Sequence, residues 1–302
     1  MPHRFPMLVL LTSLALLLGC AAPTADAPVS DTYDTSFLTS ALWDDGQAEM
    51  AFYEVTRGHN VYGEDADVRF TVGTYVVKHD YAPAEQTKAT GDLEGVSAFK
   101  SSLFYALESG SYEHKRNYVV NARQADLRPF KESFTGYDWC SNVYREVAVH
   151  PDMQVRAMMR SDDYGNSDAS FTYRAGAVTP AQLPLVARAL DFSADAAHTL
   201  HVLLDDGTYV AAEARLLEEA TFDGPAGAVP AEQVQLTYAA PVPSMISDRE
   251  VTDETYWRGT DDARLLLKLE GAGYTMTLIE QVRSPYWSEN VWDRLERVTE
   301  RP

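Results

Sequence analysis

Two cysteines and seven histidines bound what this chain could do as a nucleophile, a base or a metal ligand. Cys140 lies in Tyr137-Asp138-Trp139-Cys140-Ser141-Asn142. A thiol attacks only as thiolate, which needs a base, and His79, His114 and His150 are the candidates. No local spacing joins any of them to Cys140, and a lone cysteine beside tryptophan reads first as a small buried hydrophobe. His198 and His201 are three apart in a strand-like run, so they face opposite sides and cannot share one metal ion. No His/Cys/Glu set has zinc spacing. Asp162-Asp163-Tyr164-Gly165-Asn166-Ser167-Asp168 offers oxygen ligands for calcium, but it departs from the Asp-x-Asp-x-Asn-Gly loop with a distant Glu, and a polar hairpin turn is the plainer reading. Neither a Gly-x-Ser-x-Gly elbow, a phosphate-binding glycine loop nor a dinucleotide fingerprint is present. The expectation is a protein with no catalytic residue, no metal and no cofactor. The aromatic residues are the candidate binding groups. Tyr256, Trp257, Tyr286, Trp287 and Trp292 crowd the last quarter of the sequence, and rings with one apolar face and one polar edge suit a ligand groove as well as a core. Trp257, Tyr286, Trp287 and Trp292 are the candidate groove.

One other residue could carry chemistry, and its setting is the first twenty positions. Arg4 precedes an apolar run from Met7 to Leu18, closed by Leu17-Leu18-Gly19-Cys20. That order is a secretory signal peptide with cysteine at the cut. A run of twelve residues falls short of the ~20 that a helix needs to cross a bilayer. The Leu-Leu-Gly-Cys segment resembles the lipobox of bacterial lipoproteins. The resemblance implies a thioether between Cys20 and a diacylglycerol, cleavage between Gly19 and Cys20, and acylation of the new amino terminus. Each buried methylene contributes about 0.8 kcal/mol, so two or three palmitate-type chains would hold the protein permanently at a membrane. By the sorting rule of such lipoproteins, Ala21 in place of Asp favours the outer membrane, with the protein facing the periplasm. A plain secreted protein cut near Ala21 or Ala22 is the alternative.

The net charge of -20 repels nucleic acid and anionic head groups, which sets nucleic-acid binding aside. The acids are dispersed, so they read as a solvated surface, or as adaptation to high salt. With Cys20 acylated, Cys140 has no partner for an internal disulfide, and stability must come from the core. A mature chain of this size buries roughly three quarters of its unfolded surface.

The elements that must position these residues are short and mostly extended. After the signal peptide (1–19), residues 20–35 read as the lipidated cysteine and a flexible linker of Ala, Pro, Thr, Ser and Asp. Residues 36–302 then form a single domain. Gln47 to Arg57 alternates but switches face midway, which predicts a bulged strand or one buried on both sides. Val68 to His79 alternates cleanly. Further strands are predicted at 114–122, 138–149, 155–160, 170–174, 199–204, 209–216, 233–238, 263–269 and 274–283. Asp163-Tyr164-Gly165-Asn166 and Asp205-Asp206-Gly207 predict hairpin turns. Two helices are predicted, one after Thr179-Pro180 and one from Ser288 through Trp292, Leu295 and Val298. The fold class is mainly β: an antiparallel curved sheet, as an open half-barrel or a sandwich, with about two helices.

Trp43-Asp44-Asp45-Gly46-Gln47-Ala48-Glu49, continued by Tyr53-Glu54-Val55-Thr56-Arg57, and Asp138-Trp139-Cys140 resemble a family of uncharacterised bacterial lipoproteins. Its members carry a W-x-D-G-x-A-E segment and, about a hundred residues later, an E-W-C-type segment. They are sometimes labelled septum formation inhibitor, but the Ser-x-Ser-Pro-Arg-Arg pattern of the nucleotide pyrophosphatases sharing that label is missing here. The strand content is also similar to the half-barrels of periplasmic lipoprotein carriers, whose concave face would accept an acyl chain or a peptide. The sequence therefore reads as an outer-membrane-anchored, acidic lipoprotein that binds a hydrophobic or envelope-derived ligand. A structural or assembly role with an envelope protein partner is one alternative, and an enzyme using Cys140 or His150 is another.

Overall fold

The computed structural model describes residues 32–61, 64–109, 112–225, 227–247, 249–288 and 290–300. Gly19 and Cys20, and with them the expected signal peptide and lipid anchor, lie outside the described residues. In chain order the elements are α1 (Thr35–Leu38), a 3-10 turn (Ala41–Asp44), β1 (Ala48–Val61), β2 (Glu64–Ala82), β3 (Thr87–Lys88), β4 (Val96–Ser109), β5 (Tyr112–Arg123) and β6 (Pro129–Tyr137). There follow β7 (Asn142–Val149), β8 (Gln154–Ser161), β9 (Ser167–Thr172), β10 (Ala177–Val178), a 3-10 turn (Pro180–Gln182) and α2 (Leu183–Ala189). The chain then runs through β11 (Ala197–Leu203), β12 (Tyr209–Gly224), β13 (Gly227–Pro243), β14 (Glu250–Gly259), β15 (Leu266–Gly271) and β16 (Tyr274–Ser284) to a last 3-10 turn (Tyr286–Ser288) and α3 (Val291–Thr299).

Among the described residues all sixteen strands belong to one sheet, which excludes a sandwich. The order is β10-β11-β12-β13-β14-β15-β16-β1-β2-β4-β5-β6-β7-β8-β9, with β3 appended to β2. Neighbours pair antiparallel except β10 with β11. β1 joins the two halves, because β16 flanks it on one side and β2 on the other. The sheet is curved and unclosed, with no ladder between β9 and β10. Side chains bring its two lips together. Tyr209 Oη donates to the Thr172 carbonyl at 2.9 Å and accepts from the Arg174 amide at 2.9 Å. Val147, Val149, Val155, Tyr173, Ala177 and Leu203 from both lips form one apolar cluster. Gly207, at φ +88°, tips the β11–β12 turn so close to Phe171 that a Cβ there would lie 2.9 Å from the ring.

The concave face is filled by the chain itself. Phe37, Leu38, Trp43, Leu185, Val186 and Leu190 pack against inward residues such as Tyr53, Val72, Phe99, Leu200 and Tyr256 in one buried core. Polar anchors fix this plug. Arg188 from α2 forms a bidentate pair with Glu49 of β1, at 2.7 and 2.9 Å, and donates to the Ala263 and Arg264 carbonyls. Arg258 Nη1 donates to the carbonyls of Ala187 and Leu190, satisfying the orphan acceptors at the C-terminus of α2. Asp34 caps α1 through Ser36 and pairs with Arg264. Tyr33 is buried and bridges to Leu190, so the packed chain begins within the stretch 20–35 expected to be linker. At the other end Glu254 accepts from Tyr238 (2.7 Å), Tyr256 (2.6 Å) and Tyr274.

Alternation explains β1. Glu49, Ala51, Tyr53 and Val55 point inward, while Ala48, Met50 and Phe52 lie under Leu295 and Val298 of α3 on the outside. The apparent switch of face thus comes from burial on both sides, with a register shift against β16 at Phe52/Tyr53. The strand expected over 138–149 is broken. Asp138 Oδ1 takes the amides of Cys140 and Ser141, each at 2.8 Å, and this turn separates β6 from β7. The helices after Thr179-Pro180 and near Ser288 form as α2 and α3, and α1 is an addition.

Candidate functional site

A groove of about 560 Å³ runs from the rim at Trp43, Gly46 and Gln47 onto the convex face of β2, β4, β5 and β6. β3 overhangs one side, and Tyr286 and Trp287 the other. Register builds its floor. Val77 pairs with Lys100, Lys100 with Asn121, and Asn121 with Lys131, so these four side chains form one row across four strands. Two residues along, Val119 pairs with Ser133. Lys88 arrives because β3 pairs Lys88 with Tyr81. The turn before β3 is fixed by Gln86, at φ +55°, whose side-chain amide donates to the Pro83 (2.8 Å) and Val149 (3.1 Å) carbonyls. Lys131 Nζ donates to the Gln86 carbonyl at 2.9 Å.

The electrostatics of the groove are opposite to those of the chain. Lys78, Lys88, Lys100 and Lys131, four of only six lysines, line it, and no lining residue is an aspartate or glutamate. Lys78 pairs with Asp44 and Lys131 approaches Glu146 at 3.7 Å, both carboxylates outside the lining. Lys88 and Lys100 have no ion pair among the described residues. His79 sits among them, with Nε2 3.0 Å from Asn121 Oδ1. Burial, with the nearby Lys100 and Lys88, pushes its pKa below the ordinary 6.5, against the Asn121 bond and Asp80. On the far wall Tyr286 stacks on Tyr75 at 4.6 Å, and Trp287 stands against it edge to face at 5.5 Å. Burial, reinforced by Tyr75 and opposed by Lys100, raises the Tyr286 phenol.

The four aromatic residues read as a candidate groove are divided. Tyr286 and Trp287 line the cationic groove. Trp292 packs from α3 against Phe104 at 5.3 Å, under Lys115. Trp257 lies on β14, half-buried, with its indole N–H donating to Glu270 at 2.8 Å. The sequence signal for this groove is the clustering of lysines, five of the six falling between positions 78 and 131. In the W-x-D-G-x-A-E segment the roles are structural. Trp43 is buried, Gly46 turns at φ +72°, Glu49 anchors the plug, and Asp45 is held below the usual carboxylate range by Arg283.

Cys140 is exposed rather than buried, and His114 Nδ1 lies 2.8 Å from Asp138 Oδ2 beside it. His150 stands at the β7–β8 turn, where its carbonyl accepts from Arg128. His198 and His201 are on β11, and His198 contacts the Asp191 carbonyl. Within the 162–168 segment, residues 162–166 form the β8–β9 turn, and Ser167 and Asp168 open β9, where Asp168 pairs with Arg160. Among the described residues no group of three His, Cys, Asp or Glu could hold a metal ion, and no helix is long and apolar enough to cross a membrane.

No protein-family model matches the chain, and no curated protein does. Among solved structures it is similar to a beta-barrel-like protein of a domain of unknown function, DUF1849, from Brucella abortus, with 6% identity and a TM-score of 0.45 over 78% of this chain and 98% of that one.

Proposed function

We propose that this chain is a periplasmic lipoprotein, held at the outer membrane by acyl chains on Cys20, that binds an anionic, envelope-derived ligand in the convex groove. It acts by binding, without catalysis. The carrying observation is the lining: four of six lysines and no carboxylate, on a chain of net charge -20. Dispersed acids make such a concentration of positive charge by neutral accident a poor explanation, and lysine ammonium groups attract phosphate and carboxylate as point charges. An acyl chain is not part of this reading, because α1 and α2 fill the concave face where they pack; a separate apolar cavity of about 550 Å³ at Phe222, Val229, Leu265, Leu267 and Leu278 is the place left for a hydrophobic ligand.

The experiment uses inorganic pyrophosphate and the ring resonances of His79. Binding in the groove brings negative charge to His79, and its pKa rises. The double variant Lys88→Gln/Lys100→Gln loses about tenfold in affinity if each exposed charge contributes up to ~1 kcal/mol. A His79 titration unmoved by pyrophosphate, or an unchanged affinity in the double variant, refutes the reading. A second reading, an assembly role with an envelope protein, rests on Tyr137, Trp139 and Tyr164. They stand 51, 79 and 77% exposed at the adjacent β6–β7 and β8–β9 turns, and exposed aromatics mark interfaces.

A further inference from the structure

We infer that the ligand of the convex groove is an anionic saccharide, a sugar chain carrying phosphate or carboxylate groups. The inference rests on the anion-binding reading above and narrows it. Between the lysines the lining offers Gln47 and Ser133, with the buried Asn121 bonded to His79 behind them, while the Gln86 amide is engaged with the Pro83 and Val149 carbonyls. Amides and hydroxyls both donate and accept, which is the pairing that sugar hydroxyls require. A bare phosphate ion would leave most of them unused.

Size points the same way. A volume of about 560 Å³ lies within the ~300–1,000 Å³ of sites for organic ligands, far beyond a single ion. An acyl chain would meet the wrong floor, since Val77 faces Lys100 directly across the ladder and Val119 is one row from Asn121. Covering those lysines with hydrocarbon would strand their charges. Trp287 supplies the remaining requirement. Its ring is 62% exposed, yet it is mounted on Tyr286, which is itself stacked on Tyr75. A rigid aromatic face with a polar edge, held at the mouth of a polar groove, suits the C–H face of a sugar ring.

The test titrates the full chain in mild detergent with five probes: N,N′-diacetylchitobiose phosphate, digalacturonate, neutral N,N′-diacetylchitobiose, inorganic phosphate and glycerol 3-phosphate as a lipid head group. Calorimetry gives affinity, and tryptophan fluorescence reports on the mouth of the groove. The expected result is that a charged disaccharide binds about tenfold or more tighter than both inorganic phosphate and the neutral sugar, with Trp287→Ala removing about tenfold from the sugar and nothing from phosphate. The phosphorylated and uronate probes separate the two sources of charge. Equal affinity for inorganic phosphate and both charged sugars, binding of glycerol 3-phosphate alone, or sugar affinity indifferent to Trp287→Ala overturns the saccharide inference while the anion groove stands. If none of the four anionic probes binds, both readings fall.

Discussion

Replacing Arg188 by alanine tests whether the plug of α1 and α2 is an integral part of the core. The guanidinium and the Glu49 carboxylate are 4 and 3% exposed, so neither has water to fall back on. Arg188→Ala leaves the Glu49 charge buried without its partner, a loss of about 3–5 kcal/mol. It also removes the donors to the Ala263 and Arg264 carbonyls and the cation over the Phe37 and Trp43 rings at 5.6 and 5.7 Å. At ~2–4 °C per kcal/mol for a domain of this size, about 4 kcal/mol lowers Tm by about 10 °C. Urea unfolding followed by circular dichroism gives the loss, and quenching of Trp43, 3% exposed in the native state, reports on the plug itself. The double variant Glu49→Leu/Arg188→Met removes both charges at similar volume and recovers most of the loss, because the pair's own net contribution is small once its desolvation is counted. A loss below about 1 kcal/mol in Arg188→Ala, or a double variant as unstable as the two single losses added together, refutes this account.

Because the folded pKa of His79 lies below the unfolded value of 6.5, its contribution to stability is fully present above pH 6.5. Below that the unfolded chain takes up the proton first, so stability falls until the folded pKa is passed. Urea midpoints from about pH 7.5 to about pH 5 show the decline, and His79→Gln flattens it. Tyr209→Phe removes the two hydrogen bonds that Tyr209 makes between the sheet's lips, for a loss of about 1–2 kcal/mol, with faster amide exchange in β9 and β11 than elsewhere. A uniform exchange increase across all strands would instead mean that the lips open only with global unfolding.

Local signals in this sequence were readable where one face of a strand meets water. Val68 to His79 alternates and is β2, and the turns at Gly165 and Gly207 have the positive φ that their Asp and Gly residues promise. The strands that escaped notice break that pattern for physical reasons. β4 carries Leu103-Phe104-Tyr105 in succession because Phe104 is buried on the outside, against Trp292 of α3, while its neighbours are buried on the inside. β14 turns Glu254 and Arg258 inward, which reads as a loop until Tyr238, Tyr274, Glu232 and the carbonyls of α2 are seen to satisfy them. The groove escaped for a different reason. Lys88, Lys100 and Lys131 lie on three strands, and their convergence depends on hairpin lengths that set register, which no single segment encodes.

The filled interior bears directly on where this protein can bind. With α1, α2 and the tyrosines around Glu254 occupying much of the concave face, the curved sheet serves as a support for the groove on its outside. Lys100, Asn121 and Lys131 are held on paired strands, where little freedom is lost on binding. The surrounding charge then narrows the ligand. Beyond ~8–10 Å at physiological salt each lysine is screened, and a free anion approaching a chain of net charge -20 meets repulsion before it meets the groove. A ligand that gains only ionic contact is thus disfavoured relative to one that adds contact with amides and the Trp287 ring. On the proposed reading, cationic groove and acidic exterior would act together as a filter, admitting charge only when it comes attached to a surface that the groove can touch.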